Sequence, residues 1–287
     1  MGKKPKRSNL KPPGTCLFCK RSPPDIKMSK EHIWSDWLDE IIPKQSTRTE
    51  GFTPNIETNP HNWVSYQGDV GTKKVRIVCT DCNNGWMSQI VENAKPYARQ
   101  LVNGERISLD EVGQVAMADW IALSALMADR ITKSAHKLPE SDIAAFYDHR
   151  GAPANWFVGI GFFVGHRGIS FNHASFPVGF LDERDGSKSI VFVKHAFASI
   201  LGNLFTIVDV DVDISQPGLP PAIGPVYLPH IVAIQPRTAP VVPYPPPSPC
   251  IIWGPDHFWV GTHALAVARR AIDVMAAKFN AAGFTHV

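Results

Sequence analysis

A chain of 287 residues, 44% hydrophobic and 19% charged, holds enough apolar material for one large domain or two ordinary ones. That composition excludes collagen-like, coiled-coil and wholly disordered architectures. The formal net charge is only +3, but residues 1–30 carry nine Lys or Arg against the single acid Asp25, a net of +8, so everything from Glu31 onward sums to −5.

Residues 1–13 have almost nothing to bury and read as a disordered basic arm without the apolar run of a secretory signal. From His32 the run Ile33, Trp34, Trp37, Leu38, Ile41, Ile42 repeats at helical spacing, which predicts a short amphipathic helix ending before Pro43. The polar stretch 44–71 reads as a long loop, and residues 74–78 alternate like a strand that runs into Cys79. Asn83-Asn84-Gly85 then opens a helix reaching about Ala94.

Residues 101–287 form the expected second unit, a larger α+β domain with a mainly antiparallel sheet, and sum to a charge of −3. Ser108-Leu-Asp-Glu111 has the pattern of a capping box, and Val112, Val115, Ala116, Trp120, Leu123, Met127 and Ile131 continue as one buried stripe. Strand-like runs follow in 157–165, 189–197, 203–214 and 227–235. Residues 217–255 hold 13 of the 25 prolines and read as extended loop, and a last helix is expected from Thr262 to Gly283. The most apolar stretch, 156–181, is interrupted by His166-Arg167 and Asn172-His173, short of the ~20 clean residues of a membrane span.

Four of the five cysteines fall in two pairs, Cys16-x2-Cys19 and Cys79-x2-Cys82. Each pair puts two thiolates on one turn, and two such turns complete a tetrahedral four-cysteine zinc site of the structural kind. Cys250 reads as an ordinary apolar residue. With no disulfide framework and no membrane span, the expectation is a reducing, cytoplasmic setting.

Between the pairs lie Glu31-His32, the strand at 74–78 and Asn83 directly after the last cysteine. Over about residues 14–95 this order resembles the HNH family of His-Me finger (ββα-metal) nucleases, in which an acid-His pair ends one strand and an Asn follows the last zinc cysteine. The resemblance implies a zinc-stapled ββα nuclease module over residues 14–100. In it His32 would be the general base, while Glu31 and Asn83 would hold one exchangeable divalent cation, Mg²⁺ or a similar ion. It also implies hydrolysis of DNA, RNA not being excluded, to leave a 5′-phosphate. The chemistry is coherent: imidazole titrates near neutrality, oxygen ligands suit Mg²⁺, and a cation offsets charge that builds on a phosphate. The basic arm would steer the polyanion.

The sequence departs from that family where a middle Asn would orient the histidine, since Asn62 and Gln67 fit poorly, and where the gap from Cys19 to Cys79 is long. A non-catalytic zinc protein that keeps the scaffold for nucleic-acid or protein contacts is the alternative. Lys73, Lys74 and Arg76 read as a solvated strand face able to touch phosphates. Asp209, Asp211 and Asp213 share one strand face, read as solvent-exposed in preference to a second metal site. His166 and His173 are expected to flank a turn without a role, and Asp256-His257 to be packing residues.

Overall fold

The strand-like runs in the second half of the chain resolve into a five-stranded antiparallel sheet, and two long helices pack against it. The computed structural model describes residues 14–44, 47–51, 63–67, 71, 73–131, 136–164, 168–181, 188–213, 231–237 and 239–246. The basic arm, the helix expected at 262–283, His166, Asn62, Cys250 and Asp256-His257 lie outside them. The fold is α+β. Among the described residues, no helix is long and apolar enough to cross a membrane.

The N-terminal elements are short. Strand β1 (Glu31–His32) is followed by a 3-10 turn, Asp36–Glu40, where the sequence predicts an α-helix. Trp34, Trp37, Leu38 and Ile42 are buried as expected, but so compact a turn satisfies their packing without a longer helix. The stretch 44–71 is not simply loop: β2 (Thr47–Gly51) and β3 (Trp63–Gln67) pair in antiparallel register from Thr47–Gln67 to Gly51–Trp63. Its polar composition hid the pairing. Strand β4 (Lys74–Val75) pairs antiparallel with β1, placing Glu31 opposite Val75 and His32 opposite Lys74. The expected strand at 74–78 is therefore shorter, although Val78 and Ile77 still accept backbone bonds from Ser29 and Leu17.

The chain then enters helix α1 (Thr80–Cys82), a wide turn Asn83–Met87 kinked at Gly85, and α2 (Ser88–Asn103). Helix α2 runs well beyond Ala94, through Pro96, because Ala94, Ala98, Leu101 and Val102 continue its buried face. It ends at Gly104, whose φ of 76° suits glycine. Strand β5 (Ile107–Leu109) precedes α3 (Glu111–Asp129). Ser108 belongs to β5, and the cap is Asp110, whose Oδ1 accepts the Gly113 N–H at 2.8 Å. Val112 and Val115 are 66% and 43% exposed, so the single buried stripe is also corrected. From Ala116 onward α3 is buried around nearly its whole circumference, so its packing does not follow one amphipathic face.

Helix α4 (Glu140–His149), absent from the sequence reading, leads to the large sheet. Its strands are β6 (Phe157–Phe162), β7 (Ile169–Leu181), β8 (Lys188–Leu201), β9 (Leu204–Asp213) and β10 (Val232–Gln235), in the order β10-β6-β9-β8-β7. Strand β7 is a further correction: His173 sits within it and is buried, so it does not flank a turn. Asp209 is buried too, contrary to the solvent-exposed reading, because β9 is flanked by β6 and β8 and its face is covered. Strand β11 (Val242–Tyr244) pairs with β5.

One apolar core runs from Cys16 and Phe18 through α2 and α3 to Leu204 and Tyr244. Helix α2 is pinned to the sheet at the β8–β9 turn. There Gly202, at φ 61°, lets Asn203 N–H reach the Val102 carbonyl at 2.9 Å, and an added Cβ would meet that carbonyl at 2.7 Å. The Tyr244 hydroxyl lies 2.8 Å from the Asn203 carbonyl and 3.1 Å from that of Leu101.

Candidate functional site

The two cysteine pairs meet. Cys16, Cys19, Cys79 and Cys82 present sulfurs that all lie within 4.8 Å of one another, with Cys19 and Cys79 Sγ 3.7 Å apart. Four thiolates at ~2.3 Å from one zinc would stand ~3.8 Å apart, so the cluster fits a metal ion such as structural zinc. Local backbone shapes the two turns. Lys20 adopts φ 58°, and the Cys16 N–H donates to the Arg21 carbonyl at 2.9 Å. Cys79 N–H donates to Cys16 Sγ at 3.3 Å, and Cys82 N–H to Cys79 Sγ at 3.4 Å. Arg21 joins the turns through Asp81 at 2.6 Å. Burial opposes ionisation of the Cys19 thiol, but hydrogen bonds from the Arg21 backbone and side chain, then from Cys16 and Cys79, bring it to about 7. Burial pushes Cys79 and Cys82 up.

Phe18 of the first turn packs edge-on against Trp86 at 4.8 Å, and Phe146 and Tyr147 of α4 close over both. Arg150 lies over the Tyr147 and Trp86 rings at 3.8 and 4.8 Å. The sequence offered no pairing signal for α4, which covers this cluster from a distant part of the chain.

Glu31, His32 and Asn83 come together as well. They line an open cavity of about 420 Å³ whose walls also include Asp36, Glu40, Asn84, Glu92 and Lys95. Asn83 reaches this wall because it directly follows Cys82 and its N–H donates to the Cys79 carbonyl at 3.0 Å. Its side-chain amide donates to Ser29 Oγ at 2.9 Å and lies near the Glu31 carboxylate. Burial raises the Glu31 carboxyl, the Asn83 amide lowers it, and the charge of Asp36 raises it further. His32 is held below its usual range by burial first and then by Lys74, against the opposing charges of Asp36 and Asp39. Among the described residues, none makes a hydrogen bond to its ring.

The packing behind this cavity is apolar. Trp120 of α3 packs edge-on to Trp34 and tilted against Trp37, with centroids at 6.2 and 5.9 Å, and its indole N–H donates to Ser35 Oγ at 3.1 Å. Arg99 of α2 pairs with Glu40 and lies 5.5 Å over Trp37. Lys74 and Arg76 are exposed while Val75 between them is buried, as the alternation predicts.

A carboxylate and an amide oxygen on an acid-rich, water-accessible cavity are donors of the kind that a hard divalent cation takes, with an imidazole beside them. Glu31 and Asn83 would hold such an ion through oxygen. Comparison of the chain with protein-family models, with curated proteins and with solved structures gives no match.

Proposed function

We propose that the chain is a metal-dependent endonuclease of the HNH, His-Me finger type, hydrolysing phosphodiester bonds in DNA. The observation that carries this reading is the convergence of Glu31, His32 and Asn83 on one open cavity. The antiparallel β1–β4 pair followed by a helix, beside a four-cysteine cluster, supports the expected ββα zinc module. A bound Mg²⁺, held by Glu31 and Asn83, would supply charge neutralisation at the scissile phosphate.

The residues divide the work by chemistry. His32, neutral at pH 7 because burial and Lys74 disfavour its cation, accepts a proton from water. The water oxygen bonds to phosphorus as the bond to the 3′ oxygen breaks, and that oxygen takes up a proton from solvent water, leaving a 5′-phosphate and a 3′-hydroxyl. Lys74, opposite His32 in register, and the exposed Arg76 can contact flanking phosphates, which positions the backbone without reading bases. The carboxylates around the cavity repel a bare polyanion, so substrate engagement and cation binding are coupled.

Plasmid nicking with Mg²⁺ tests the mechanism. His32→Ala, folded and zinc-loaded, is expected to lose at least about 100-fold in rate. Unchanged cleavage by that variant overturns the assignment. The second reading, a non-catalytic zinc protein, draws on the lack of an orienting hydrogen bond to His32 among the described residues. It gains if the wild type cuts neither duplex nor single strands with Mg²⁺, Mn²⁺ or Ni²⁺.

A further inference from the structure

The large sheet carries a second convergence of ligand-type side chains, which the endonuclease reading does not use. Asp129 ends α3, while His173 and His195 stand on β7 and β8. In the β7–β8 register His173 faces Phe197 and Ser175 faces His195, so the two histidines are diagonal neighbours on one face. The C-terminal end of α3 brings Asp129 over that face. All three side chains are buried, and one ligand atom from each lies within 4.8 Å of the others.

We propose that Asp129, His173 and His195 form a second site for a divalent transition-metal ion of the zinc class, separate from the four cysteines. The distances suit donors around one ion, and the shorter of them also fits a hydrogen bond between the two rings. His173 Nε2 is 3.2 Å from His195 Nδ1 and 4.0 Å from Asp129 Oδ1. The second separation is too long for a hydrogen bond. Two donors each ~2.1 Å from one ion stand ~3 to ~4 Å apart, which spans both separations. Orientation by outer groups is also in place. Leu138 N–H donates to Asp129 Oδ2 at 3.3 Å and Arg130 Nε lies 3.6 Å from it, so Oδ1 is the oxygen nearest His173. Phe197 stacks on His173 at 4.0 Å and fixes its ring plane. Two imidazoles and one carboxylate select Zn²⁺, Fe²⁺ or Ni²⁺ over Mg²⁺ or Ca²⁺.

The test is metal stoichiometry of the full chain. After incubation with Zn²⁺ and dialysis, elemental analysis is expected to find two equivalents in the wild type and one in His195→Ala, while Glu31→Ala keeps two. Titration of the wild type with Co²⁺ gives a readout that needs no variant to fold. One equivalent should show thiolate-to-cobalt charge transfer, and a second should show only weaker ligand-field bands. Saturation at a single equivalent overturns the proposal. So does a second equivalent that Glu31→Ala loses and His195→Ala retains, an outcome that would leave the endonuclease reading standing.

Discussion

His32 shows how much one side chain depends on its neighbours. Partial burial, and then its position opposite Lys74, lowers its affinity for a proton, while Asp36 and Asp39 work the other way. If His32 is the base, cleavage falls as pH drops through an imidazole pKa below 6.5, and it is flat above. Removing the Lys74 charge raises that pKa, so Lys74→Gln should move the acidic limb of the pH–rate profile upward by about a few tenths of a unit. A downward shift would contradict the role of Lys74. Asp119 offers a stability counterpart. Burial raises its carboxyl from 3.8 to about 6, against one hydrogen bond from the Ala152 N–H at 2.8 Å. The folded state therefore holds a proton that the unfolded chain releases, and this group's contribution falls as pH rises from about 4 to about 6. Asp119→Asn keeps the acceptor and is expected to gain about 1 kcal/mol at pH 7, discounted for partial exposure, with the gain vanishing below pH 4. Chemical denaturation of both proteins at the two pH values measures it.

Helix α3 is the element on which the site leans. Ala, Leu and Met give it strong helical propensity, and burial on nearly all sides makes it the shared wall between the large sheet and the N-terminal segment. Trp120 is its largest contribution toward the cavity, fully buried against Trp34 and Trp37 and bonded to Ser35. Trp120→Ala should cost about 3–5 kcal/mol in stability. Because Ser35 follows His32 within the same short segment, a surviving variant should also cleave more slowly. Urea unfolding and the nicking rate measure the two effects separately. Why the stripe reading failed at the start of α3 is equally physical: Gly113 and Gln114 turn inward there while Val112 and Val115 face out, and hydrophobicity alone does not state which side of the first turn is covered.

Across the whole molecule, the four-cysteine cluster ties the first described residues to the start of the helical region, and Asn83 is attached directly to it. On the proposed reading, Cys79→Ser should fail to hold zinc, lower the melting temperature by about 10 °C or more, and abolish cleavage that added Mg²⁺ does not restore. Calorimetry, metal analysis and the nicking assay report on this together; full zinc content in the variant would contradict the assignment of Cys79 as a ligand. Much of this arrangement was legible as local chemistry. Two Cys-x2-Cys pairs announce a metal-binding cluster because thiolate spacing is a short-range property, and the acid-His pair and the Asn after the last cysteine were visible as residues. The strand character of 157–162 and 204–213 followed from short runs of apolar residues, which is also local. The β2–β3 pairing, the cover provided by α4, the burial of Asp209 and the meeting of Asp129, His173 and His195 were not legible. Each depends on which strands become neighbours and in what register, and a one-residue slip would turn every side chain to the opposite face. The sequence by itself thus determined the ligand types and their local spacing; only the tertiary structure decided which of them share a cavity, because long-range register and the end of α3 bring distant residues to one face.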